Sequence, residues 1–173
     1  MKNDFVMPIL VLSLICLVIS GALAFTDSVT RPVIAEAGAL RTESVRLEII
    51  PQATGFEIIE ADGLPETVVG AYRTINDVGY IFMVESSGYG GDIQLICGVG
   101  MDGKIIQCKT LGHSETQGMG SRITEREYED QYIGVSGDLD GISAISGATI
   151  SSKAYVNGIR DALAAFELVK GDR

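Results

Sequence analysis

The period of the hydrophobic positions changes along the chain, and each change predicts an element. Residues 5–25 form an uncharged apolar run of 21 that includes Ile9, Leu10, Val11, Leu12, Leu14, Ile15, Leu17, Val18 and Ile19. At about 1.5 Å per helical residue, it is long enough to cross a bilayer core of roughly 30 Å. Pro8 falls in the first turn, where the helix has no N–H partner to lose. Residues 26–30 then read as a short polar connector. Thr30 is placed to cap a helix with Pro32 in its first turn and Val33, Ile34, Ala37, Leu40 and Val45 as its apolar stripe. Pro51, followed by Gly55, ends that helix.

Beyond residue 60 the period shortens to that of strands. Thr67-Val68-Val69-Gly70-Ala71-Tyr72 and Gly79-Tyr80-Ile81-Phe82-Met83-Val84 are β-branched and aromatic, with Asn76-Asp77 as turn chemistry between them. Ile93 to Val99 and Ile105 to Lys109 flank Met101-Asp102-Gly103-Lys104, a hairpin signal. A two-residue loop at Asp102-Gly103 pairs Met101 with Lys104 and sets Cys97 opposite Cys108. Such a count puts the cysteines in a hydrogen-bonded pair, the less favourable geometry for a bridge, unless Gly98 or Gly100 introduces a bulge. Two core thiols are favoured over a disulfide. Residues 125–132 suggest a short charged helix, and Asp138-Leu139-Asp140-Gly141 a turn. From Thr149 to Lys170, Tyr155, Ile159, Ala162, Leu163, Phe166 and Val169 recur at helical spacing. The class is α+β, a mostly antiparallel sheet with flanking helices behind one N-terminal transmembrane helix.

The apolar run has a second reading. Ala22-Leu23-Ala24 is an A-x-A pattern at which a signal peptide is cleaved, leaving a secreted protein. The length of the run and the weakly basic Met1-Lys2-Asn3-Asp4 favour a retained single-pass anchor. Cys16 follows Leu14 and Ile15 rather than small residues, so it is not a lipoprotein cysteine. The net charge is −10, and removing Lys2 and Asp4 leaves it at −10. A domain so acidic repels nucleic acid and anionic headgroups. Charge flanking the span is too balanced to set its orientation.

Candidate chemistry gathers in three small-residue loops, 88–92, 112–121 and 146–152. Glycines there admit close backbone approach by a flat or phosphorylated ligand, although each loop taken alone reads better as an ordinary tight turn. No Walker loop and no strand–GxGxxG–helix unit is present. One histidine and three cysteines offer no metal spacing, and no metal site is expected. His113 with Glu115 is an acid–base pair in form, but a loop histidine satisfied by a neighbour is the better reading. Ser146-Gly147-Ala148-Thr149 at a helix mouth combines small residues, unpaired N–H groups and a hydroxyl, which suits a phosphate.

In matching order, these segments resemble a known family. Thr30-Arg31-Pro32-Val33-Ile34-Ala35 is similar to its post-membrane T-x-P-x-I-A stretch. Gly88-Tyr89-Gly90-Gly91-Asp92-Ile93 and Asp102-Gly103-Lys104-Ile105 resemble its G-Y-G-G-x-I and D-G-x-I segments, continuing into His113-Ser114-Glu115-Thr116-Gln117-Gly118-Met119-Gly120. Ser146-Gly147-Ala148-Thr149 resembles its flavinylation motif S-G-A-T. The family is the membrane-anchored, FMN-binding G subunit of the Rnf complex, related to the C subunit of the sodium-pumping NADH:quinone oxidoreductase. Two positions depart from it: Ser143 stands where an aspartate is usual, with Asp140 the nearest acid upstream, and Gln117 replaces a proline.

That resemblance implies an anchor at 1–25, a connector and helix at 26–50, and an FMN-binding domain at 51–173. It implies FMN bound covalently to Thr149, placed there from FAD by a flavin transferase. Ser146, Gly147, Ala148, Glu115, Thr116, Gly118 and Gly120 are the expected cofactor-binding residues, with Glu115 able to tune the ring if its loop covers a flavin. Ser151 and Ser152 are expected to cap the helix start. The chain is then an electron-transfer subunit of an ion-translocating ferredoxin:NAD oxidoreductase, with no catalytic residues acting alone. Its partners are other subunits and, through residues 5–25, membrane lipid, with the soluble domain on the extracytoplasmic side. The rival functions are the C subunit of the quinone-reducing pump and a non-catalytic anchored binding or assembly module.

Overall fold

In the computed structural model residues 6–171 are described. The chain divides into two compact units, the first reaching Glu43 and the second beginning at Ser44. The first consists of most of α1 (Val6–Ile49). Its stretch Met7–Ser28 is long and apolar enough to cross a membrane, with exposed side chains such as Leu10, Leu14 and Leu17.

The expected connector is absent, because α1 runs through it. The Thr26 hydroxyl donates to the Ala22 carbonyl, Ser28 to Phe25 and Thr30 to Thr26, so the polar residues bond within the helix. Pro32 therefore sits in the helix interior, and its missing N–H removes one rung of the ladder. The stripe at Val33, Ile34, Ala37 and Leu40, like the side chains of the Arg31 to Ala35 motif, lies outside the described residues.

The second unit is built on an antiparallel meander in the order β1-β2-β3-β4-β5. The strands are β1 (Phe56–Ile58), β2 (Val68–Thr74), β3 (Gly79–Ser87), β4 (Asp92–Gly100) and β5 (Ile105–Gly112). The expected strands formed, each within a few residues of its expected limits; β1, an edge of three residues, was not foreseen. A 3-10 turn at Gly120–Thr124, α2 (Arg126–Glu129), another 3-10 turn at Asp130–Tyr132 and α3 (Thr149–Val169) complete it.

Alternation along the strands divides the core into two layers. Phe82, Val84, Leu95, Cys97 and Val99 face α3, packing with Tyr155, Ile159, Ala162 and Phe166. Ile81 and Ile96 point the other way, onto Val45, Ile49, Ile50 and Ala53 at the end of α1 and after it. Arg46 lies 3.6 Å above the centre of the Tyr72 ring on that side. Phe82 is fully buried and stacks at 6.3 Å on Tyr80. Phe82→Ala is expected to destabilise the domain by about 3–5 kcal/mol through lost transfer energy and a residual cavity. A urea midpoint unchanged from wild type would contradict this account of the core.

Cys97 does lie opposite Cys108, although not by the expected turn. The loop closes with Gly100 N–H donating to Lys104 C=O at 2.8 Å and Gly103 N–H to Gly100 C=O at 2.9 Å. Gly100 thus faces Lys104, one position away from the expected register. An irregularity between Gly98 and Val99 restores it by leaving Ile106 unmatched, since Val99 pairs with Ile105 and Gly98 with Gln107. The two sulfurs are 3.6 Å apart and both cysteines are free thiols.

Candidate functional site

Three loops converge at one end of the sheet, and a single carboxylate joins them. The β3–β4 turn closes with Gly88 N–H donating to Gly91 C=O at 2.9 Å. Its next two amides, Tyr89 and Gly90, both donate to Glu115 Oε1, at 2.8 and 3.1 Å. From α3, the Ser151 hydroxyl donates to Glu115 Oε2 at 2.6 Å. Glu115 is only 7% exposed, so these donors replace nearly all of the water a carboxylate would otherwise hold.

This arrangement explains glycines that the sequence alone assigned to ligand approach. A Cβ on Gly88 would stand 2.1 Å from Glu115 Oε1, and one on Gly120 would stand 2.5 Å from Oε2. On Gly90 it would meet the Ser114 carbonyl oxygen at 2.2 Å. These three make room for the Glu115 loop itself. Gly147 differs: it has φ +81° and its nearest neighbour, Met119 Cε, is 3.6 Å from a built Cβ. That is a backbone shape suited to glycine beside open space.

Open space there is a cleft of about 540 Å³ lined by Tyr89, Thr116, Met119, Gly120, Gly147, Ala148, Thr149 and Ile150. Cofactor pockets are commonly roughly 300–1,000 Å³. Five expected site residues therefore share one cavity: Thr116, Gly120, Gly147, Ala148 and Thr149. Glu115 binds the adjoining loops together. Gly118 has φ +78° in the turn before the first 3-10 segment and does not line the cleft. Ser146 faces a neighbouring hollow of about 270 Å³ with Arg122, Gln131 and Ser143, whose amide donates to Gln131 Oε1.

Residues not singled out before supply the apolar part of the cleft. Tyr89 is 71% exposed, Ile150 54% and Met119 53%. The available signal was the aromatic residue within Gly88-Tyr89-Gly90-Gly91, since an apolar side chain in a turn has no core to fill.

The mouth of α3 is open. Its N-cap is Ala148, which has no side-chain oxygen, and no side chain caps the terminus. Ser151 and Ser152, expected to cap it, are used elsewhere: Ser151 on Glu115, and Ser152 Oγ as acceptor for the Ile145 N–H at 3.0 Å. Ala148, Thr149 and Ile150 line the cleft, so the positive end of the helix lies at its edge beside the exposed Thr149. The cleft lining contains no lysine or arginine, so it suits a singly charged phosphodiester better than a dianionic phosphate. His113 takes no part in an acid–base pair, because its Nδ1 accepts the Glu115 N–H at 3.1 Å while the carboxylate is bound elsewhere.

A family model for the FMN-binding domain matches residues 88–164, which include all three loops. The chain is 32% identical over 177 residues to the G subunit of the ion-translocating oxidoreductase complex of Methanosarcina acetivorans, covering 94% of each. It is 28% identical to the G subunit of the Na⁺-translocating ferredoxin:NAD⁺ oxidoreductase complex of Acetobacterium woodii, covering 91% of this chain and 89% of that one. Among solved structures it resembles the C subunit of the Na⁺-translocating NADH-quinone reductase of Parabacteroides distasonis. There the TM-score is 0.52 at 17% identity, over 66% of this chain and 73% of the other, a likeness of fold.

Proposed function

The chain belongs to the G-subunit family of ion-translocating oxidoreductase complexes, and from that premise we propose that it carries electrons in a membrane-bound ferredoxin:NAD oxidoreductase with FMN esterified to Thr149. The observation that carries this reading is the exposed Thr149 hydroxyl at an uncapped helix mouth, opening on a cleft with an apolar wall. Bound flavin supplies one- and two-electron redox chemistry that the side chains lack. Thr149 provides the ester oxygen, and the first amides of α3 stabilise the charge of the phosphodiester. Gly147 and Ala148 keep the approach to Thr149 free of bulk. Tyr89, Met119 and Ile150 offer an apolar surface for the aromatic ring and exclude water from it.

Met7–Ser28 holds the domain at the membrane in this reading, as a single span with the domain on the extracytoplasmic side. A flavin transferase loads Thr149, and other subunits of the complex exchange electrons with the bound flavin. The C subunit of the quinone reductase shares the fold, but at 17% identity, whereas the relation to a G subunit extends over 94% of the chain. The direct test is the mass of the Thr149 peptide from the full chain coexpressed with a flavin transferase. An FMN-sized increment on that peptide is expected. Its absence from the peptide, or its presence only on another one, would sink the reading.

A further inference from the structure

We propose that Glu115 is the positioning residue of the flavin-acceptor site, holding the mouth of α3 against the Tyr89–Gly90 turn so that the Thr149 hydroxyl faces the cleft. The inference rests on the proposed esterification at Thr149 and concerns what prepares that hydroxyl for it. Glu115 does not line the cleft. It acts through three donors on two other elements: the Tyr89 and Gly90 amides at 2.8 and 3.1 Å, and Ser151 Oγ at 2.6 Å.

Ser151 stands two residues after Thr149, in the same first turn of α3. A bond to its side chain therefore sets both the rotation and the height of the turn that presents Thr149. Tyr89 lines the same cleft, and its amide, bonded to Glu115, fixes the backbone that carries its exposed ring. The glycines leave no slack, because Gly88 and Gly120 approach the two carboxylate oxygens more closely than any side chain would permit. No lysine or arginine forms an ion pair with Glu115 among the described residues, so its hold comes from hydrogen bonds rather than from a salt bridge.

In the transfer, the Thr149 Oγ–P bond forms as the diphosphate P–O bond of FAD breaks. AMP leaves with that bond's electron pair, and the hydroxyl proton is balanced on the AMP phosphate. Positioning governs such a step strongly: misplacing an attacking group by about 1 Å costs on the order of a hundredfold in rate.

The test uses the full chain in detergent with purified flavin transferase and FAD, following FMN incorporation at saturating acceptor. Amide exchange at Tyr89 and Gly90 is measured in parallel. Glu115→Ala is expected to lower the maximal loading rate about a hundredfold and to speed exchange of both amides about tenfold or more. Glu115→Gln keeps a carbonyl for the two amides and an N–H for Ser151 Oγ, so it is expected to load within about threefold of wild type. Ser151→Ala releases only α3 and is expected to slow loading while the two amides stay protected, which decides the matter even if Glu115→Ala fails to fold. Loading of Glu115→Ala at the wild-type rate overturns the proposal, as does a Glu115→Gln variant as slow as the alanine. Failure of the wild type to gain FMN on Thr149 overturns the function instead, and the exchange measurements still report whether Glu115 ties the loops.

Discussion

Thr149→Ala is expected to fold normally and to carry no covalent flavin. The side chain is exposed at the first position of α3, and among the described residues no hydrogen bond uses its hydroxyl. Alanine is a good helix former, so the change in stability is expected to stay within about 0.5 kcal/mol. Loss of flavin would then report loss of the acceptor oxygen rather than of the fold. Thr149→Ser keeps the oxygen and is expected to keep the ester.

The neighbouring hydroxyls sharpen this test. Ser151 and Ser152 are buried and committed to Glu115 and to the Ile145 amide, so neither can take over without breaking the site. Ser146 is exposed but lines the adjacent hollow instead of the cleft. Mass analysis of the 146–152 peptide, with electron transfer measured in the assembled complex, distinguishes the outcomes. Covalent flavin persisting on the alanine variant would move the attachment to Ser146. Unchanged electron transfer without any flavin would favour the non-catalytic anchored module.

The second large effect is alkaline instability of the soluble domain. Tyr132 and Tyr155 are fully buried against the face of the sheet that carries Cys97 and Cys108, their rings 5.2 Å apart with Tyr128 beside them. Burial pushes both phenols well above their ordinary value, and the hydrogen bond that Tyr132 donates to the Tyr128 hydroxyl holds its proton further. Burial, with the hydrogen bond to Cys97, raises the Cys108 thiol in the same direction.

For groups whose folded pKa is raised, the stabilisation is complete below the unfolded pKa and is lost as pH rises toward the folded one. Stability should therefore hold up to roughly pH 8.5, where an unfolded thiol begins to ionise. Beyond that it should fall by about 1.4 kcal/mol per pH unit, steepening to at least about 4 kcal/mol per unit above roughly pH 10. The unfolded chain releases the Cys108 thiol proton and the phenol protons of Tyr132 and Tyr155 that the folded one retains, with the Tyr128 phenol, also raised by burial, adding to the fall. Urea midpoints across this range measure the slope, and Tyr132→Phe should reduce the steep limb by about 1.4 kcal/mol per unit. Tyr132 and Tyr155 titrating at the ordinary phenol pKa in the folded domain would refute the burial argument.

How far the molecule was legible follows from the range over which each feature acts. The strands and α3 could be read because their periods are local: alternate residues between 79 and 99, and helical spacing from Tyr155 to Val169, report which face is buried. The polar residues 26–30 misled, because serine and threonine that would open a connector can also bond back into a helix. The pairing of Cys97 with Cys108 was reached through a turn that does not form, and a bulge restored the register. Hairpin counting sees the turn but not a compensating irregularity several residues away.

By itself, the sequence determined the apolar span, the antiparallel domain behind it, the order of three small-residue loops and the hydroxyl at the start of the last helix. Only the tertiary structure decided what the loops do to one another. It assigned Gly88, Gly90 and Gly120 to making room for the Glu115 loop, left Gly147 beside the cleft, and left Ser146 and Gly118 outside it. It also turned Ser151 from a helix cap into a link to Glu115. The physical reason is that hydrogen bonds between residues 25 to 36 positions apart, and close contacts such as Gly88 against Glu115, leave no periodic trace. A glycine that admits a ligand and one that admits another loop are the same letter until the chain has folded around it.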